Sequence, residues 1–317
     1  MAGRDDGWRQ PHGNRRKPVL NTIMMQRRHF LQLGLLSASP AWLPAAEFLP
    51  QSATFQGERK FQQVVARALA ENWAALPMGT RVAQFGQALL GTKYVAWTLE
   101  IDDRVESPSA NFNGLDCWTF FEIALGLARM IAKRQRSYSP SDLLRQIEWT
   151  RYRGGVCRGH YLDRIHYLDE WFTDNTARGN IRTVTRNIGP VVRLTGRSND
   201  EMSLNPKLYR YLRTNPALVP AMRQIEARLE SVPFDFIPKQ QVAACEARIQ
   251  SGDVIGIVTN RQHVFCSHVG LALRTQDGVC RFMHASLTHK KVAVDQSVHE
   301  YLNGIKSHAG IIVGRPV

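Results

Sequence analysis

The chain predicts an α+β fold, because helical periodicities fill its first two thirds and β-type runs its last third. A second observation is the segment 118–131, apolar at Phe120, Phe121, Ala124, Leu125, Leu127, Ala128 and Ile131, a pattern broad enough for a buried helix on which a sheet can pack. Third, 317 residues with 44% hydrophobic and 21% charged side chains suffice for a sizeable core and exclude a disordered chain.

Residues 1–19 are polar, rich in Gly, Pro and Arg and without apolar periodicity, as in a disordered leader. Arg27-Arg28-His29-Phe30-Leu31, the apolar run 33–38 and a Pro-Ala-rich stretch to Ala46 then look like a twin-arginine export signal. The run is under 18 residues and broken by Pro40 and Pro44, too short for a stable membrane anchor. The expected products are a leader at 1–46, a partner in the twin-arginine machinery, and one periplasmic domain at 47–317.

Within that domain Phe61, Val64, Val65, Ala68, Leu69 and Trp73 recur at helical spacing until Pro77. Thr80 can cap a second short helix with Val82, Phe85 and Leu89 inward, ended by Gly91. Residues 94–99 alternate like a strand, and the buried helix starts at Asp116-Cys117. Residues 139–231 are polar and mostly helical, opened by Ser139-Pro140, and read as a helical insertion on the core. Strands follow at 253–259, 268–274, 281–287, 291–295 and 310–315.

Lys+Arg 41 against Asp+Glu 27 gives +14; without residues 1–46 the balance is 34 against 25, or +9. The basic residues are scattered and no binding motif accompanies them, so nucleic acid is not an expected partner. Five cysteines with no C-x-x-C pair argue against a disulfide framework or a zinc ribbon, and no cofactor is expected. Cys266 and Cys280 fall on adjacent expected strands, where a disulfide is open; Cys157 and Cys245 read as buried thiols.

Chemistry is suggested by three residues. A cysteine at a helix start meets unpaired N–H groups and a dipole that favour thiolate, and Asp116 at the cap anchors the turn before Cys117. His268 opens an apolar strand, and His284 lies on the next; an antiparallel pair joined at Asp277-Gly278 sets the two imidazoles side by side, so that one orients the other. Nucleophile, base and orienter are then in hand. Each residue alone also reads as core: Cys117 as a small buried hydrophobe, either histidine as a hydrogen-bonded interior group. Two imidazoles and a thiolate also leave a zinc site open, but with no acidic ligand or second close cysteine no metal is expected.

At these residues the chain resembles a family. Gly91-Thr92-Lys93-Tyr94, Leu99-Glu100 and Leu115-Asp116-Cys117-Trp118-Thr119-Phe120-Phe121-Glu122 look like the first block of the N-acetylmuramoyl-L-alanine amidase-like branch of the NlpC-type cell-wall cysteine hydrolases. Arg151-Tyr152-Arg153 with Gly155, then Arg164-Ile165-His166-Tyr167 and Trp171, are similar to a second block. Gly252-Asp253-Val254-Ile255, His268-Val269-Gly270, His284-Ala285-Ser286, Lys291-Val292, Tyr301 and Gly310 are similar to a third.

The resemblance implies a papain-like core with the nucleophile helix packed on an antiparallel sheet. It matches Cys117 to the nucleophile, His268 to the base, His284 to the orienter and Tyr94 to the oxyanion site; Tyr94 reads equally as a packed strand residue. The implied substrate is peptidoglycan or its muropeptide fragments, cut between N-acetylmuramic acid and L-alanine through a thioester. An endopeptidase cutting the stem after D-glutamate, or an idle murein-binding protein, are the alternatives. Arg151, Tyr152, Arg164, His166 and Tyr167 offer Arg forks and aromatic surfaces to a muropeptide, or else tie helices together; Trp171 reads as packing.

Overall fold

The computed structural model describes residues 48–317. The stretch expected to be a leader and export signal, with Arg27 and Arg28, lies outside the described residues. Among those described, no helix is long and apolar enough to cross a membrane.

Helix α1 (Glu58–Ala70) turns Phe61, Val64, Val65 and Ala68 inward. Helix α2 (Met78–Ala88) is entered through Pro77 rather than capped by Thr80; its Val82 and Phe85 are buried, and the chain leaves it through Gly91 at φ +78°. Helix α3 (Cys117–Ile131) is buried on almost every side, as its broad apolar pattern requires. Helix α4 (Pro140–Arg151) packs Leu143 and Ile147 into the same core, and α5 (Leu168–Ala177) adds Trp171, fully buried edge-on to Phe121.

Further on, β1 (Ile181–Thr183), β2 (Val192–Arg193), α6 (Val219–Glu230), β3 (Asp235–Pro238) and α7 (Lys239–Cys245) precede the strand-rich third. That third comprises β4 (Val254–Thr259), β5 (Cys266–Arg274), β6 (Cys280–Ser286), β7 (Lys291–Ser297), α8 (Val298–Asn303) and β8 (His308–Pro316). The antiparallel sheet runs β2-β3-β8-β4-β5-β6-β7, with β1 also on β8. Five of its strands match the expected runs to within about two residues; β1, β2 and β3 are too short for alternation to reveal.

The sheet is covered on both faces. Val254, Val258, Val269, Leu271, Met283 and Ala285 meet α1 to α5, whereas Ile255, Ile257, Ala272, Phe282, Ile311 and Val313 meet α7 and α8. Central β4 is therefore buried along its whole length and apolar up to Thr259, with successive side chains on opposite faces. Tyr161, Tyr167, Met202, Tyr211, Leu212, Met222, Ile225 and Leu229 make a smaller core of their own, so the polar 139–231 stretch divides: α4 and Trp171 belong to the main core, and later residues build a lobe.

Candidate active site

The start of α3 is locked before any chemistry is considered. Asp116 is its N-cap, accepting the Thr119 N–H at 2.8 Å, while the Asp116 N–H donates to Thr119 Oγ1 at 3.1 Å. The other Asp116 oxygen accepts from the Thr98 N–H and hydroxyl, 3.2 and 2.7 Å, tying the loop before α3 to the helix start. Cys117 is the first helical residue, where N–H groups lack helical partners, and it is partly exposed at the foot of a cleft.

Residues 94–99 do not form the expected strand. Pairing falls earlier, with Lys93 beside Lys291 at the edge of β7 and Tyr94 beside Leu115; the chain then turns, with Trp97 at φ +64°. The Tyr94 N–H donates to the Lys290 carbonyl at 2.9 Å, which holds the ring at a cavity of about 420 Å³. Tyr94, Trp97, Cys117, Arg164, His166 and Tyr209 are on its wall. A second cavity of about 160 Å³ is shared by Cys117, His166, Tyr167, His268 and Val269.

The two histidines meet across the sheet. Leu271 opposes Met283, which places Gly270 opposite His284 and His268 diagonally beside it on the same face. His268 Nε2 lies 2.7 Å from His284 Nδ1, and the rings cross at 87°. Gly270 makes this possible: a Cβ there would fall 2.6 Å from the Met283 carbonyl and 2.7 Å from the Phe282 ring, which stacks on His284 at 4.7 Å.

Desolvation governs the ionisation of all three. Burial, reinforced by Asp116, pushes the Cys117 thiol up to about 12 against the pull of nearby backbone N–H groups. His268 is held well below the ordinary histidine value by burial and then by His284 and His308. Burial brings His284 down to about 4, with Asp295 opposing. Burial thus displaces the thiol and both imidazoles toward their neutral forms. Among the described residues no group of three or more His, Cys, Asp or Glu side chains has a metal-holding arrangement.

The remaining expected binding residues separate. Arg151 and Tyr152 are fully buried and reach no cleft, a correction to their expected contact with substrate. Arg151 Nε donates to Glu122 at 2.7 Å and its Nη1 to Ser109, while the Tyr152 hydroxyl donates to Glu106 at 2.8 Å. Arg164 pairs with Glu100 and Glu106 yet touches the larger cavity, and His166, beside Tyr161, lines both cavities. The Tyr167 hydroxyl donates to Glu226 at 2.6 Å and its ring faces the smaller cavity.

Cys266 and Cys280 lie at opposite ends of the β5–β6 pair, about 25 Å apart at the strand rise, so they cannot be bridged. Trp97, Tyr209, Ser267 and Asp295 were missed as cleft residues; only Asp295, ending the alternation of β7, carries a sequence signal.

The family described as AmiA-like, N-acetylmuramoyl-L-alanine amidase-like, matches residues 84–311. No curated protein matches. An N-acetylmuramoyl-L-alanine amidase from Bacteroides uniformis is similar at 30% identity and TM-score 0.68, covering 75% of this chain and 98% of its own. A provisionally named xylanase from Bacteroides fragilis is 32% identical with TM-score 0.65, covering 74% and 99%. Protein LPG0564 of Legionella pneumophila, 19% identical with TM-score 0.62 and covering 82% and 95%, shares the fold.

Proposed function

The chain belongs to the N-acetylmuramoyl-L-alanine amidase-like family, and from that premise we propose a cysteine hydrolase that cuts the amide between N-acetylmuramic acid and L-alanine in peptidoglycan fragments. The observation that carries this reading is Cys117 at a helix N-terminus, sharing a cavity with His268, whose Nε2 is engaged by His284. A thiol at a helix start packed on an antiparallel sheet that bears the base is also the ground for an NlpC-type, papain-like core.

In this mechanism His268 takes the thiol proton and the sulfur attacks the lactyl carbonyl. The oxyanion is met by the Cys117 N–H and the Tyr94 hydroxyl, which burial and the nearby Cys117 keep protonated above its ordinary value. Collapse breaks the C–N bond, His268 returns the proton to the alanine amine, and water then hydrolyses the thioester with His268 as base. Glycoside cleavage is disfavoured: of the carboxylates on the larger cavity, Asp116 caps α3 and Glu100 holds Tyr161 and Arg164, leaving no free acid–base pair. Export to the periplasm belongs to the same proposal and rests on the Arg27-Arg28 signal pattern.

Mass spectrometry of purified muropeptides after incubation tests the bond. Free sugar plus intact peptide is the expected product and vanishes in Cys117→Ala; a sugar still carrying a dipeptide identifies stem cleavage instead. Activity that survives Cys117→Ala overturns the thiol mechanism.

A further inference from the structure

The imidazole pair does not end at His284. Its Nε2 lies 3.4 Å from Oδ2 of Asp295 on β7, and Nε2 of His289, in the turn between β6 and β7, lies 3.3 Å from the same oxygen. The Asp295 carboxyl is held below its ordinary value by the Gln296 N–H and His284 in spite of burial, so it is an anion and can only accept. His284 Nε2 therefore carries a proton. Its Nδ1 is then a lone pair, and the 2.7 Å contact with His268 must be made by a proton on His268 Nε2. That leaves Nδ1 of His268 as the free lone pair, the one ring nitrogen of the pair able to receive a proton from Cys117.

We propose that Asp295 is a positioning residue, fixing the tautomer of His284 and through it that of His268, so that the base presents an empty Nδ1 to the thiol. The remaining titratable groups facing the pair supply no competing acceptor at His284 Nε2. Tyr301 on α8 packs its ring 5.1 Å from His284, and His308 on β8 disfavours positive charge on both imidazoles. His289, nearly half exposed, shares the Asp295 oxygen, and all these groups open on a cavity of about 390 Å³ on the side of His284. A carboxylate behind the orienter also stabilises the imidazolium formed in the reaction, the service a buried acid gives a catalytic histidine elsewhere.

The bond cleaved rests on the function proposed above, but the relay can be tested without substrate. Iodoacetamide alkylation of Cys117 in the full chain, followed by peptide mass spectrometry from pH 5 to 9, reads the reactive thiolate that proton transfer to His268 produces. In Asp295→Asn the rate at pH 7 falls about tenfold and the acid limb moves to lower pH, because His268 holds its proton less well; the unfolding midpoint is unchanged and Asp295→Glu recovers part of the rate. On muropeptide the same variant loses about 10–100-fold in kcat with KM within about twofold. An alkylation profile that superimposes on wild type overturns the relay. So does a uniform loss at every pH that tracks a lowered unfolding midpoint, the mark of a merely structural residue. If wild type cuts no muropeptide while Asp295→Asn still shifts the alkylation limb, the proposed substrate is wrong and the role of Asp295 stands.

Discussion

Around Arg151 and Arg164, charge is buried in pairs: Glu122 meets Arg151, and Glu100 and Glu106 meet Arg164, with Tyr152 and Tyr161 donating to the same carboxylates. Around Cys117, titratable groups are enclosed with little counter-charge, and burial drives thiol and imidazoles to their neutral forms. Charge that is already compensated has no free energy to gain from a substrate, whereas an uncompensated neutral set can move a proton when a carbonyl arrives. Titratable side chains thus hold structure in the first region, and in the proposed mechanism they do chemistry in the second. The difference lies in what each side chain faces.

The largest expected effect breaks the first region. Arg151→Ala leaves Glu122 buried without its partner and is expected to cost about 3–5 kcal/mol in a denaturant titration. Paired replacement of Arg151 and Glu122 by methionine is expected to cost far less, since no buried charge is stranded. A stable Arg151→Ala protein that had lost only substrate affinity would return Arg151 to the binding site and erase the contrast.

A smaller effect comes from acid, and it acts on the second region. His284 has a folded value of about 4 against an ordinary 6.5, so the unfolded chain takes up its proton first. Its contribution to stability is intact above about pH 7, falls as pH drops below about 6.5 and levels off near 4, a loss of about 2 kcal/mol between pH 7 and 5. His284→Gln should remove that part of the slope. An unchanged slope would mean that His284 is not held neutral by its surroundings.

Much of this site was legible before the structure. Asp116-Cys117 at a helix start and two histidines spaced for neighbouring strands are local signals, and local geometry places them. Asp116 capping α3 illustrates this, since a cap needs only its own helix. Arg151 stayed open between substrate and packing because an arginine's sequence neighbours do not say whether a glutamate 29 positions earlier will meet it. The 94–99 stretch failed for a related reason: its alternation fits a strand, but the available partners, β7 and Leu115, take the residues just before it. Trp97 then turns outward at a backbone angle that no side-chain pattern announces.

Trp97 supplies the smallest effect and a sharper form of the contrast. Its φ of +64° is unfavourable for a residue with a Cβ by roughly 1–2 kcal/mol, and the indole is 60% exposed, so folding gains little from it. It stands edge-on to Tyr209 at 5.9 Å on the cavity that holds Cys117. A strained, exposed aromatic on the cavity of the proposed nucleophile is better explained by contact with substrate than by packing. Trp97→Gly should therefore keep stability or raise it by up to about 1 kcal/mol, because glycine adopts that conformation freely while also loosening the unfolded chain. The same variant should raise KM for muropeptide by about 3–10-fold with kcat within about twofold, as expected when an interaction common to bound substrate and transition state is removed. An unchanged KM would place the substrate elsewhere and leave the strain at Trp97 without a use.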